Sequence, residues 1–240
     1  MAFVQCAAKG TGQNVGLKIA EIREGLDAIA ACNPRWAQAL ETHGYPEERI
    51  RPTGYRTLLR TILGQQVSVA SADSVWNKLT AHLGEDIPPA ALLASGFDEL
   101  RDCGLSRQKQ GYVRSLCELV ESGELDLDSL PQDDEDAIAQ LTRIKGIGRW
   151  SAEIYLLFAE GRTDIWPAGD LAVQIEIGRI LGHDERPGEK AVRALAESRL
   201  GTADTTACDW AGAAVSDAEI WELRRHLRAQ LVADARRRVA

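Results

Sequence analysis

The sequence predicts an all-α protein, on three observations. Apolar residues recur at three- and four-residue intervals from Leu17 onward, and alanine and leucine dominate these runs. No stretch alternates apolar and polar residues as a half-buried strand does. Glycine and proline punctuate the periodic runs at spacings that suit helices. A chain of 240 residues can bury one substantial core or two small lobes. At 45% hydrophobic residues and 5% aromatic, the composition is that of an ordinary soluble protein. No apolar run is long enough to span a bilayer, so no membrane partner is expected. Met1 to Gly16 lacks the charged start and apolar core of a secretion signal.

Taken in order, residues 1–16 read as a loose arm. Leu17, Ile19, Ile22 and Leu26 begin the helical region 17–240, and the first helix breaks at Asn33-Pro34. Pro34-Arg35-Trp36 leads into a short helix ending near Gly44-Tyr45-Pro46, and Pro52-Thr53-Gly54 marks a further turn. Tyr55, Leu58, Leu59, Ile62 and Leu63 follow helical spacing without a miss, as a core helix should. That helix stops at Gly64-Gln65-Gln66-Val67-Ser68, and the pattern resumes with Val69, Ala72, Val75, Trp76 and Leu79. Gln65 and Gln66 are polar groups in need of partners, and capping the flanking helices is their plainest task. Beyond Pro88-Pro89 and Ser95-Gly96, Tyr112, Leu116, Leu119 and Val120 form another helix face. Glu121 to Asp136 reads as an acidic, turn-rich connector.

The chemistry concentrates between Leu141 and Leu181. Ile144-Lys145-Gly146-Ile147-Gly148 predicts two helices joined by a very tight turn, because glycine permits φ > 0 and close approach to another molecule. A helix starting near Arg149 would leave backbone N–H groups without intrahelical partners, and such an end favours a phosphate. Lys145, Gly146, Gly148 and Arg149 are therefore candidate phosphate-binding residues. Asp170 follows Trp166-Pro167-Ala168-Gly169 and precedes an amphipathic run of Val173, Ile177, Ile180 and Leu181. Asp is a favoured N-cap, although Val173 occupies the position where a capping box needs Glu or Gln. A helix N-terminus favours negative charge, so capping and catalysis are compatible. Trp150 is either core or an electron-rich face, and Ile154 and Tyr155 line either a pocket or the core.

Net charge is −8 and the sequence pI near 5.1, which argues against coating nucleic acid by bulk attraction. A local basic face is still available in Arg143, Lys145 and Arg149, with Arg107 and Lys109 as a second small group. Cys6, Cys32, Cys103, Cys117 and Cys208 are odd in number and scattered, giving neither zinc spacing nor a disulfide framework. A reducing cytoplasm, and nucleoid association in a bacterium, is the compartment expected. The four histidines form no metal-ligand pattern.

The order Gly146-Ile147-Gly148-Arg149-Trp150-Ser151-Ala152-Glu153, then Gly169-Asp170, resembles the helix-hairpin-helix DNA glycosylase superfamily, most of all its 3-methyladenine DNA glycosylase II branch. The hairpin, the tryptophan and the aspartate at this spacing are far more specific than a bare Gly-Ile-Gly. Ile62 to Ala70 resembles the family segment whose side chain fills the gap left by a flipped base. Gln66, with Gln65 beside it, is the matching wedge. Leu100 to Lys109 resembles a segment that packs the first lobe against the hairpin lobe. The resemblance covers about Asn33 to Glu197. Beyond it, Ser198-Arg199-Leu200-Gly201 replaces the family's tryptophan and proline, and Trp221-Glu222-Leu223-Arg224-Arg225 is a second candidate without the proline.

This resemblance implies a two-lobed helical fold with a cleft between the lobes, without the extra N-terminal β domain of larger relatives. The wedge lobe would span about 50–130, and the hairpin and catalytic Asp 141–182. It implies Asp170 as the catalytic carboxylate and Trp150, Ile154, Tyr155 and Leu171 as the base pocket. The backbone carbonyls of Thr142, Ile144 and Ile147 match those that hold a structural Na+ or K+. No other cofactor is expected, and Cys208 alone cannot supply the iron–sulfur cluster of some relatives. A lysine occupies the Trp150 position in lyase-active relatives, so only the glycosidic bond should be cut. The implied activity is base excision repair by a monomer on double-stranded DNA, releasing alkylated purines such as 3-methyladenine and 7-methylguanine. Two alternatives stay open: a glycosylase of this fold for uracil, hypoxanthine or a mismatched base, and a non-catalytic damage-binding protein.

Overall fold

The computed structural model describes residues 16, 18–32, 34–46, 48, 50–162, 165–181 and 185–197. The expected arm, apart from Gly16, lies outside these residues, as do Ser198 to Gly201 and Trp221 to Arg225. Every regular element among the described residues is a helix, as the periodicity predicts. In chain order they are α1 (Ile19–Cys32), α2 (Pro34–His43), α3 (Tyr55–Gly64), α4 (Val69–Leu83), α5 (Pro89–Ala94) and α6 (Phe97–Asp102). There follow α7 (Arg107–Glu121), α8 (Asp134–Leu141), α9 (Arg149–Phe158), α10 (Leu171–Leu181) and α11 (Glu189–Glu197). Pro34 and Pro89 each open a helix, where the missing N–H leaves no intrahelical bond unmade. No helix among the described residues is long and apolar enough to cross a membrane.

The chain forms two compact units. One holds Arg51–Ile147, and the other combines the described residues of Gly16–Ile50 with those from Gly148 to Glu197. The division falls between Ile147 and Gly148, inside the hairpin. The block 141–182, expected as one piece, is therefore shared by two units.

In the first unit α7 is the central element, with α3, α5 and α6 packed on it and α4 packed on α3. Leu58, Leu59, Ile62 and Leu63 of α3 are buried, as are Leu79, Leu92, Leu100, Val113 and Leu116 of the helices in this unit. Burying each such side chain contributes about 2 kcal/mol. Gln110 and Arg114 on α7 answer main-chain carbonyls that would otherwise be unpaired. The Gln110 amide donates to Phe97 O (3.1 Å) and Leu105 O (3.2 Å), and Arg114 to Leu93 O (3.1 Å) and Ser95 O (2.6 Å).

The stretch read as an acidic connector is more than that. Leu125, Leu127 and Leu130 are buried, and its acidic end is the beginning of α8. Asp133 caps that helix, accepting from Asp136 N at 3.0 Å, and three acidic residues follow in its first turn, where the helix dipole favours them. Charge alone suggested solvent; the dipole explains the charge.

In the second unit α1 packs on α2, and α10 on α11. Ala152, Tyr155, Leu156 and Leu157 of α9, Val173 and Ile177 of α10 and Val192 of α11 are buried.

Candidate active site

The hairpin turn in the first unit is closed by Ile147 N–H donating to Ile144 O at 3.0 Å. Gly146 has φ 85, and a Cβ added there would lie 2.3 Å from the Tyr112 ring. Both the backbone conformation and the ring thus demand glycine. Lys145 N donates to Ser115 Oγ at 3.1 Å, and Gly146 O accepts from Gln65 Nε2 at 2.8 Å. Gly148 differs from expectation: its φ of −89 suits any residue, and a Cβ there would meet nothing within 4 Å. What glycine leaves at that position is open approach to the start of α9.

Among the hairpin cations, Arg143 is held by the carboxylate and carbonyl of Glu124. Arg149 directs Nε at Glu153 Oε1, 3.0 Å away. The exposed Lys145 side chain has no partner among the described residues, and remains available to a phosphate. The second basic group is engaged within its own unit, Lys109 on Leu63 O at 2.6 Å and Arg107 over the Phe97 ring at 5.6 Å. Of the two expected wedge residues, Gln65 turns its amide to the hairpin. Gln66 is exposed, with φ 57, a conformation uncommon for a side chain other than glycine. The helix caps expected of these two amides are made otherwise, by the Gln65 main chain on Ile62 O (3.3 Å) and by Ser68 accepting from Ser71 N (3.2 Å).

Main-chain carbonyls such as those of Thr142, Ile144 and Ile147 are the donors a hard monovalent cation prefers. The Ile144 carbonyl already accepts from Ile147 N and keeps a second lone pair. No group of three or more His, Cys, Asp or Glu side chains among the described residues is arranged to hold a metal.

In the second unit, Asp170 closes a tight turn, its N–H donating to Pro167 O at 2.9 Å, and α10 begins at the next residue. Its Oδ1 accepts from Ala172 N at 2.7 Å and Val173 N at 3.4 Å. Its Oδ2 accepts from Trp150 Nε1 at 2.9 Å. Asp170 is thus an N-cap whose second oxygen is oriented by an indole. Trp150 is 47% exposed, which removes the core reading for it, whereas Tyr155 at 3% belongs to the core. Ile154 is half-buried and Leu171 exposed. A carboxylate fixed by three N–H donors beside an exposed aromatic face can stabilise a cation forming next to it.

The sequence profile of HhH-GPD superfamily base excision DNA repair proteins matches residues 59–201, more than half of the chain. The chain belongs to the HhH-GPD superfamily. DNA-3-methyladenine glycosylase 1 of Schizosaccharomyces pombe is 32% identical over 124 residues, covering 50% of this chain and 54% of that protein. The DNA-3-methyladenine glycosylase of Saccharomyces cerevisiae is 32% identical over 126 residues, covering 48% of this chain and 43% of the relative. This HhH-GPD chain spans about half the length of the curated relatives it matches. The solved structure of a DNA-3-methyladenine glycosidase from Bacillus halodurans superposes with TM-score 0.66 at 28% identity, covering 88% of this chain and 91% of that one.

Three residues of this HhH-GPD chain were given no role of their own by the sequence reading. Ile175, one turn after Leu171 on α10, is 43% exposed and extends the apolar face beginning beside Asp170. Its i, i+4 spacing from Leu171 was the available signal. Gln174 is 7% exposed; Nε2 donates to Ala168 O at 2.8 Å, and Oε1 accepts from Arg186 at 2.7 Å. It holds the turn two residues ahead of Asp170. Gln174→Leu should destabilise the protein by about 2 kcal/mol by leaving a carbonyl and a guanidinium unpaired, read as a lower midpoint of thermal unfolding. No pattern of spacing marks such a residue, because its partners lie in the loops on either side of α10.

Glu153 is 2% exposed, and its Oε1 receives both Arg149 (3.0 Å) and Arg193 (3.3 Å). Burial raises its pKa above the usual carboxylate value, while Arg193 and Arg149 oppose the rise. A raised folded value means this group favours folding below the ordinary carboxylate pKa, and that contribution is lost as pH rises through the raised value. Glu153→Gln, which keeps an acceptor for both arginines, should therefore flatten that part of the stability profile. Thermal midpoints across the acid-to-neutral range check it.

Proposed function

We propose that this protein is a monofunctional DNA glycosylase that releases alkylated purines, such as 3-methyladenine and 7-methylguanine, from double-stranded DNA. One observation carries the proposal: the Asp170 carboxylate is held by Trp150 Nε1 and two α10 amides while Trp150 keeps half its surface exposed. The similarity to relatives named as DNA-3-methyladenine glycosylases supports it.

Breaking the base–sugar bond sends its electron pair out with the base and leaves positive charge on the deoxyribose. Asp170 stabilises that charge, and water then adds at the sugar carbon and loses a proton, leaving an abasic site. A purine alkylated on a ring nitrogen is already cationic and departs without a strong general acid. The exposed face of Trp150 attracts such a cation. Trp150 has no amine, so no Schiff base with the sugar forms there and strand cleavage does not follow. Gln66 fills the gap left by the flipped base, the exposed Lys145 meets a phosphate, and the open start of α9 favours an anion. A Na+ or K+ on the carbonyls of Thr142, Ile144 and Ile147 would add positive charge to the Lys145 contact. The protein acts as a monomer.

The test is base release from duplex DNA treated with a methylating agent, with the freed bases identified and the strands sized. Methylated purines without strand cuts are expected. Strand cuts would mean that an amine of this chain attacks the sugar, against the monofunctional reading. Tight binding to damaged duplex with no base released would favour a damage-binding protein, and release of uracil or hypoxanthine a different substrate.

A further inference from the structure

The first unit contains a feature the proposed chemistry does not use. Lys109, Tyr112 and Ser115 recur every three residues along α7, and each meets either the Gly64–Ser68 loop's helix or the hairpin. Lys109 Nζ donates to Leu63 O at 2.6 Å, on the last turn of α3, where helix carbonyls lack intrahelical donors. The Tyr112 ring lies against Gly146 so closely that a Cβ there would be at 2.3 Å. Ser115 Oγ accepts from Lys145 N at 3.1 Å. Gln65 closes the circuit directly, its Nε2 donating to Gly146 O at 2.8 Å.

This circuit surrounds a strained point. Gln66 has φ 57, and a non-glycine residue keeps such a conformation only where its surroundings over-determine it. Here the chain is fixed before Gln66 by Lys109 and by Gln65, and after it by Ser68, which caps α4 through Ser71 N at 3.2 Å. Burial lowers the Lys109 pKa, in keeping with an ammonium committed to a carbonyl at some cost in solvation.

We propose that Gln65, with Lys109, Tyr112 and Ser115 of α7, locks the Gln66 loop to the Lys145–Gly146 turn, so that base displacement and phosphate grip act as one rigid element. Gln65 is a positioning residue, working through Gln66 and through the hairpin backbone. The inference rests on the proposed glycosylase function and assigns a role within it.

The experiment uses the full chain and a duplex carrying a stable abasic-site analogue beside a fluorescent adenine analogue that brightens on unstacking. Gln65→Met removes the donor at similar length, and Lys109→Met and Lys109→Arg form the second pair. Gln65→Met should weaken binding roughly five- to tenfold, the worth of one exposed hydrogen bond, and reduce the unstacking signal while thermal stability holds. Lys109→Met should do likewise and Lys109→Arg restore the signal. In a Gln66→Ala background, Gln65→Met should add no further loss of unstacking. Wild-type unstacking by Gln65→Met, or losses that simply multiply in the double variant, overturn the proposal. These readouts need no base release, so a failure of the glycosylase activity itself appears separately, in the wild-type release assay.

Discussion

Asp170→Asn should release methylated purines on the order of a thousandfold more slowly than the wild type, while unfolding at nearly the same temperature. The reasoning separates the two jobs of one side chain. Asn is as good an N-cap as Asp, so its Oδ1 can still accept from Ala172 N and Val173 N. Its second atom is then an amide nitrogen facing Trp150 Nε1, a donor against a donor, where Oδ2 accepts at 2.9 Å. The charge that the proposed mechanism sets beside the sugar cation is gone, and so is the contact that orients the indole. Single-turnover base release measures the first effect and calorimetry the second. An Asn variant that loses several degrees of stability along with activity would mean that the carboxylate is chiefly structural. Asp170→Ala should lose the activity and also about 1 kcal/mol of helix capping.

Gly146→Ala should be the most damaging single methyl in the first unit, costing roughly 3 kcal/mol from two additive sources. The backbone at φ 85 strains any L side chain, and the new Cβ would sit 2.3 Å from the Tyr112 ring. The ring cannot withdraw freely, since Gln108 donates to its hydroxyl. A double-mutant cycle separates the sources: with Tyr112→Ala present, Gly146→Ala should cost only the conformational part, about 1–2 kcal/mol. Equal costs in both backgrounds would remove the ring from the explanation. Gly148→Ala is the internal control. Its φ is −89 with no atom near a Cβ, so the fold should accept it, and any loss should appear in DNA binding alone.

Helix existence was written in the sequence, because burying one face of each helix requires apolar spacing that any reader of the chain can find. The core helix Tyr55–Gly64, the breaks at Pro34 and Gly64, and the helix start at Arg149 follow from that spacing and from local turn chemistry. The hairpin, Trp150 and Asp170 were legible for a similar reason, since they lie within one contiguous stretch of the chain. The sequence also left open whether Asp170 caps or acts and whether Trp150 is core or surface.

Tertiary structure made Asp170 a helix cap and put Trp150 at the surface, because both depend on which donor reaches which oxygen. Trp150 and Asp170 are twenty residues apart, yet bonded at 2.9 Å. It decided equally that Gln65 serves the hairpin while Gln66 stands exposed, two amides that are indistinguishable as letters. It assigned the acid of Asp134 to Asp136 to a helix start, and placed Glu153 between two arginines, one of them forty residues away. By itself the sequence determined the helices, the turn and the presence of an aspartate at a helix start. Folding alone set the hydrogen-bond partners, because a polar side chain's role is fixed by groups brought to it from elsewhere in the chain.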